Sequence, residues 1–551
     1  MKVSKLQAAL KVHPIFCQLL VQRGIYTYEA AKTFFRPSLD DLHDPFLMRD
    51  MDRAIARILK AIANKERILL YGDYDVDGTT SIALSYSFFS KFHSQLDYYI
   101  PDRYKEGYGI SRAGLDYAQQ NNCTLVIAMD CGIKAVAIVK EAKARGIDFI
   151  ICDHHLPSEK IPAAVAVLDP KRSDCNYPYK ELTGCGISFK LIQAYCLQQG
   201  LADKHWKSLL DFVAISTACD IVPITGENRV LAFYGLKQLN HVPRLGIKAL
   251  MEQSARQKPL TIGDLVFGFG PLINAAGRLA DAQQAVKLMI SRKETIAQEY
   301  AKILQQRNQL RKEFEKRITQ EAKLALEQFR DWENKKSIVL YNKNWHKGVV
   351  GIAAARIVDF YHRPSIILTE SSGKVVGSAR TVKGFDIYQA LKGCEDLLEN
   401  FGGHAHAAGL TLALENLEAF AKRFEKVVGE NIREEELIPE IKISGELDFE
   451  LINEKFWGIL KQFAPFGPQN RNPVFVSKNV SDSGFSRVLK NNHLKFVVQQ
   501  NAKKKLSGIG FGLGDFFGEM QTRPFQICYN IQENNWNGKT SLQLNVKDVK
   551  F

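Results

Sequence analysis

The chain has 551 residues, room for roughly three or four folding units at the usual domain size. Hydrophobic residues make up 46 %, enough for several packed cores, and a formal net charge of +14 suits a polyanionic partner, nucleic acid above all. Ten cysteines lie no closer together than eight residues, which excludes CxxC zinc knuckles, and no run of about 18 apolar residues exists to cross a membrane. The opening MKVSKLQAALKVHPIFCQLLVQRG lacks the apolar core of a signal peptide. A reduced, soluble, cytoplasmic protein is therefore expected.

Residues 1–60 carry apolar residues at helical spacing and a proline-marked loop, and form an expected N-terminal helical segment. Five nearly continuous apolar runs follow: RILLYG (67–72), LDYYIP (96–101), TLVIAMD (124–130), DFIICD (148–153) and AVAVLD (164–169). Helical patterns separate several of them. This is the pattern of parallel strands buried on both faces, in an α/β domain expected over 61–285. Ligands of such sheets bind beyond the carboxyl ends of the strands. Asp73, Asp75 and Asp77, then Asp130, then Asp153, His154 and His155, then Asp169 all fall at those ends.

Residues 291–330 contain neither glycine nor proline and predict one long helix, the core of a linker over 286–334. A second α/β unit is expected over 335–435, with strands at SIVLYN (337–342) and PSIILTE (364–370) around the helix VVGIAAARIVDFY. Short alternating strands and glycine turns then predict a small β-barrel over 436–551, OB-like, with a β-sandwich as the alternative.

Asp73, Asp75 and Asp77 stand at alternate positions after a strand, where an extended segment places them on one face. Such a face suits manganese or magnesium, which take oxygen ligands. Gly78 would turn the chain, and Thr79, Thr80 and Ser81 would cap a helix whose N-terminus favours a phosphate. An EF-hand is excluded because its twelfth position is Leu84 rather than a glutamate. Asp130, Asp153-His154-His155 and Asp220 each follow a hydrophobic segment as well. Together these groups suffice for two metals that share a carboxylate.

The segments GDYDVDGTTS, MDCG, CDHHLP and CDIVP resemble the four motifs of the DHH phosphoesterase family. PDRYKEGYG (101–109), INAAGRL (273–279), WHKGVVGIAAARI (345–357), GSARTVKGFD (377–386), FGGHAHAAG (401–409) and FGPQNRNPVF (466–475) resemble its RecJ-type branch. The resemblance runs from about residue 65 onward. It implies a parallel-sheet DHH domain, a long linking helix, a DHHA1-type α/β domain and an OB-fold. It also implies a single-strand-specific 5′→3′ exonuclease of DNA repair and recombination that releases nucleotide 5′-monophosphates with two Mn2+ or Mg2+ ions.

By that resemblance Asp75 and Asp77 would be metal ligands, Asp130 would bridge, and His154 and Asp220 would complete the set. Asp73 would ligate or orient. Asp153 would orient, and His155 would stabilise the scissile phosphate. Several relatives carry a histidine four residues before the aspartate here numbered Asp75. This chain has Tyr71, so one ion would be held more weakly or differently. Arg103, Arg278, Ser378 and Arg380 would grip a terminal phosphate, and His404 would touch nucleic acid or pack. Phe466, Phe475, Phe485 and Phe496 are candidates to stack on bases. The expected partners are single-stranded DNA, a single-strand-binding protein and a helicase, with no membrane and a monomeric enzyme. Two rivals stay open. One is a DHH enzyme on short oligonucleotides, cyclic dinucleotides or pyrophosphate; the other is a non-catalytic strand-binding factor.

Overall fold

The computed structural model describes residues 2–279, 281–328, 331–501, 504–536 and 538–551. Met1 of the expected N-terminal segment and positions 329 and 330 of the expected linker lie outside them. The five apolar runs form one parallel sheet: β1 (Arg67–Gly72), β2 (Leu96–Tyr99), β3 (Cys123–Met129), β4 (Asp148–Cys152) and β5 (Ala166–Leu168), in the order β2-β1-β3-β4-β5. Their side chains enter two cores. Ile68, Leu70, Leu125 and Ile127 face one side, and Leu69, Tyr71, Val126 and Ala128 the other. Alternation of buried residues to both faces is why the runs read as continuously apolar.

The long helix spans Glu294–Gln328, 35 residues, or ~52 Å at 1.5 Å per residue. It is not merely a solvated spacer. Ala297, Ala301 and Leu304 enter the first core, whereas Ile318, Ala322 and Leu326 enter a core with the second α/β unit. That unit has a mixed sheet of β6 (Ile338–Tyr341), β7 (Ser365–Ser371), β8 (Lys374–Arg380), β9 (Asn400–His404) and β10 (Ala407–Leu412), in the order β6-β7-β8-β10-β9. GSAR closes β8, and GGHAHAAG is the β9–β10 hairpin.

The C-terminal unit contains β11 (Gly445–Glu446), β12 (Phe475–Asp482), β13 (Arg487–Leu489), β14 (His493–Gln500), β15 (Lys504–Gly510), β16 (Phe525–Trp536) and β17 (Lys539–Lys550). Strand β12 pairs with both β14 and β16, and β15 pairs in parallel with β17. These pairings are those of an OB-fold rather than of two stacked sheets.

The segment 1–60 is not one unit. Helices Lys2–Leu10, Pro14–Val21 and Tyr28–Phe35 pack into the C-terminal core, where Phe16 meets Phe456 at 4.7 Å between ring centroids. Helix Met51–Ala63 instead packs on the first domain through Met51, Ile55 and Ile58. Helical spacing marks an apolar face, but it carries no information about which core will cover that face.

Candidate metal centre and an adjoining arginine cavity

The carboxylates converge beyond the carboxyl ends of the sheet. Asp73, Asp130, Asp153 and Asp169 each directly follow a strand. Asp220 comes from elsewhere, at the end of helix Leu210–Cys219. Ligand atoms of Asp73, Asp75 and Asp130 form one close group, and those of Asp77, His154 and Asp220 a second. Asp130 joins the two, with Oδ1 3.2 Å from His154 Nε2, and it also groups with His154 and His155.

The turn after β1 differs from the extended segment expected. The helix begins at Val76, so Asp77 lies in its first turn. Asp75, not Thr79, is its cap: Oδ1 accepts the amides of Asp77 (2.8 Å) and Gly78 (3.2 Å). Thr79 and Thr80 donate back into the helix, to the carbonyls of Asp75 and Val76. Gly78 is needed not for a special φ but because a Cβ there would strike the backbone of Asp73. Asp77 is held by three donors, the amides of Gly184 (2.6 Å) and Cys185 (2.8 Å) and the Ser216 hydroxyl (2.6 Å).

The triplet divides its labour. Asp153 accepts from the Ile133 amide (2.9 Å), the His154 amide (2.8 Å) and His155 Nδ1 (2.7 Å). Burial would raise Asp153, but the His155 bond and charge hold it at about 2. Burial likewise opposes a charged His155, yet the same bond raises its pKa. Burial drives His154 down to about 4, leaving a neutral imidazole whose lone pair can serve a metal. Tyr71 is no substitute ligand. Its hydroxyl donates to the Gly109 carbonyl (2.9 Å) and accepts the Ser111 amide (3.1 Å), supporting the loop after β2.

Burial, then repulsion by neighbouring aspartates, pushes Asp73, Asp130 and Asp220 well above the usual carboxylate range. Burial also lifts Asp169, to about 7. Asp73 Oδ1 is buried with no hydrogen-bond partner among the described residues. Several buried carboxylates crowded together, one of them with an unpartnered oxygen, and one neutral imidazole form a ligand set that fits hard divalent cations.

Beside this cluster lies a cavity of about 780 Å³ whose lining includes all five expected substrate contacts, Arg103, Arg278, Ser378, Arg380 and His404. They arrive from the loop after β2, the helix Gly270–Leu279, β8 and β9. Arg380 donates to Ser378 Oγ (2.7 Å), and Arg278 to the Gly348 carbonyl (3.1 Å). None of the three arginines has a carboxylate partner among the described residues. Burial and the neighbouring arginines push Arg278 down to about 10. Gly377 and Gly403 admit close backbones, since a Cβ on either would meet main chain. Lys347 and Tyr104 complete the wall.

The two sites share walls. Tyr74, between two cluster aspartates, lines the cavity, and Arg103 lies over its ring at 4.9 Å. The loop Pro101–Ile110 carries Arg103 into the cavity, and its Tyr108 hydroxyl approaches the Asp130 carbonyl and His155 Nδ1, each at 3.1 Å. Tyr108 is not among the expected site residues. Its place in the GYG of that loop is the available signal. Of the four phenylalanine candidates, Phe475 and Phe496 are core and Phe466 packs against it, while Phe485 is 68 % exposed.

A buried carboxylate–imidazole cluster at the strand ends of a parallel sheet, facing a second domain through cationic walls, defines the DHH class of phosphoesterases. The DHH family N-terminal domain matches residues 67–217, the DHHA1 domain 334–430 and the RecJ OB domain 443–548. The single-stranded-DNA-specific exonuclease RecJ of Bacillus subtilis (strain 168) is 36 % identical over 556 residues, covering 100 % of this chain and 69 % of its own length. That of Escherichia coli (strain K12) is 34 % identical, covering 91 % and 90 %. RecJ from Thermus thermophilus, solved in complex with Mn2+, superposes with a TM-score of 0.86 at 26 % identity, covering 100 % of this chain and 78 % of that one. The same protein has been solved with Mg2+, at 25 % identity, a TM-score of 0.80 and coverage of 100 % and 76 %. The chain belongs to the RecJ family.

Among the described residues no helix is long and apolar enough to cross a membrane.

Proposed function

We propose that this protein is a metal-dependent, single-stranded-DNA-specific 5′→3′ exonuclease that releases nucleotide 5′-monophosphates and serves DNA repair and recombination. The observation that carries the reading is the shared wall between an acidic cluster and an arginine cavity, with one loop reaching both. An enzyme that counts from an end needs an anion grip at a fixed distance from its hydrolytic centre.

Asp73, Asp75, Asp77, His154 and Asp220 would hold two divalent ions, Mn2+ or Mg2+, with Asp130 shared. Ions held there would supply charge neutralisation at the phosphodiester, a more acidic water and stabilisation of the leaving oxygen. The chain's own groups do the rest. Asp153 fixes the imidazole of His155, which donates to a non-bridging oxygen of the scissile phosphate. Asp77 is kept from turning by its three donors. Arg103, Arg278 and Arg380, with Ser378, grip the terminal phosphate, and His404 flanks it.

Residues 483–514 contain six lysines and arginines and no aspartate or glutamate. Within them Phe485 and Phe511 are 68 % and 63 % exposed, and Lys505 lies over the Phe485 ring. This basic stretch, with two exposed aromatic rings beside β13 and β15, suits an unpaired strand. The same reading places the enzyme in the cytoplasm as a monomer, working beside a single-strand-binding protein and a helicase.

The test is digestion of long single strands, 5′-phosphorylated or 3′-blocked, with Mn2+ or Mg2+. Progressive release of mononucleotides from the 5′ end is expected. Cleavage confined to dinucleotides, or dependence on a free 3′ end, would refute the reading.

A further inference from the structure

The motif FGPQN (466–470) lies in the C-terminal unit, yet its contacts lead back to the first domain. Ile224 donates its amide to the Pro468 carbonyl at 2.9 Å. Gly467 lies so close to Ile224 that a Cβ would strike the isoleucine side chain. Asn470 is buried, with Nδ2 donating to the Phe463 and Pro465 carbonyls (both 2.8 Å) and Oδ1 accepting from Arg23 (2.6 Å). Arg229 completes the joint. It lies over Phe34 at 3.8 Å and donates to the carbonyls of Phe34 (3.0 Å), Phe463 (3.0 Å) and Ala464 (2.9 Å).

Ile224 is four residues from Asp220 of the metal cluster. Between them, Ile221 has φ +60°, a left-handed backbone that a β-branched residue adopts only at a cost. The cost is not repaid by burial, because Ile221 is 65 % exposed. Strained backbone persists where its surroundings over-determine it. On one side the helix Leu210–Cys219 fixes Asp220, whose amide bonds the Ser216 carbonyl at 2.9 Å. On the other side Pro223 accepts from Tyr179 (3.3 Å) and Asn228 (3.1 Å), and Ile224 is pinned by Pro468.

We infer that the 463–470 segment is a positioning device for Asp220: docking of the C-terminal unit holds Ile221 strained and so sets how tightly the metal cluster binds its ions. This rests on Asp220 being a metal ligand, as proposed above. If the joint loosens, Ile221 relaxes out of the left-handed region and Asp220 swings with it. The residues concerned are therefore metal-affinity determinants, not strand contacts.

The test uses the full chain and free Mn2+ measured by electron paramagnetic resonance. Gly467→Ala should weaken Mn2+ binding about five-fold, a coupling ordinary for residues sharing one network. The Mn2+ needed for half-maximal hydrolysis should rise equally, with strand affinity in EDTA unchanged. Ile224→Ala, which leaves the C-terminal sequence intact, should do the same and decides the matter if Gly467→Ala does not fold. Ile221→Gly removes the strain, so adding it to Gly467→Ala should restore Mn2+ affinity. A general loosening would not be rescued that way. Unchanged Mn2+ affinity in folded Gly467→Ala or Ile224→Ala, lost strand affinity instead, or failure of the glycine rescue would overturn the inference. Asp220→Asn is the control. If it leaves Mn2+ binding intact, the reading of the metal cluster itself has failed.

Discussion

The acidic cluster and the arginine cavity are opposite answers to one problem. In the first, burial and mutual repulsion push carboxylates up. In the second, burial and repulsion push arginines down. Each is destabilised on its own, and each is relieved by a ligand of the opposite sign, a divalent cation in one and a phosphate in the other. They also differ in construction. Three strand ends of a single sheet supply most of the cluster, whereas the cavity takes residues from two domains. The cluster should thus survive a shift of the second α/β unit that the cavity cannot.

That contrast can be broken most sharply at Asp130, which belongs to two close groups of ligand atoms. Asp130→Asn should lower hydrolysis on the order of 10³-fold, since bound metal is worth several kcal/mol in the transition state. Strand affinity, measured by fluorescence anisotropy, should stay within a few fold. Equal loss of both would merge the two sites into one. On the cavity side, Arg278→Ala should erase about 10- to 100-fold of any preference for a 5′-phosphate over a 5′-hydroxyl end, as removal of a charge-assisted bond predicts. Competition digests of the two ends read this directly, and an unchanged ratio would sever the cavity from end recognition. The smallest effect is expected at Phe485 and Phe511. Their joint replacement by alanine should weaken binding of long strands roughly ten-fold, through lost stacking, and leave dinucleotide cleavage unaltered. Salt titration should show the same slope as the parent, because no phosphate contact is removed.

How much of this is legible in the sequence depends on how local the cause is. Asp73, Asp130, Asp153 and Asp169 can be read because parallel strands share a carboxyl end, so any acid after a buried run converges there. Asp220 is found by its motif, since nothing in FVAISTAC says that a helix rather than a strand precedes it. The cavity residues come from family motifs and would be invisible otherwise, being spread from Arg103 to His404. Capping by Asp75 escapes notice because three aspartates at alternate positions look the same whether the chain stays extended or turns into a helix. Tyr108 and the FGPQN joint escape for a stronger reason. Their partners are remote in sequence, and no local pattern encodes a distant partner.

The N-terminal helices show that remoteness at its greatest. Gln18 donates to the carbonyl of Ser444, 426 residues away, and Ile15, Phe16, Leu19 and Leu20 are covered by residues of the C-terminal core. During synthesis at about 5–20 residues per second, their apolar face would wait roughly 20–85 s for its cover. Both α/β units can form in that interval, while this face stays uncovered. Ribosomes that stall before Ser444 would therefore release chains with a finished sheet and an exposed apolar helix face, a form that chaperones and proteases are suited to clear.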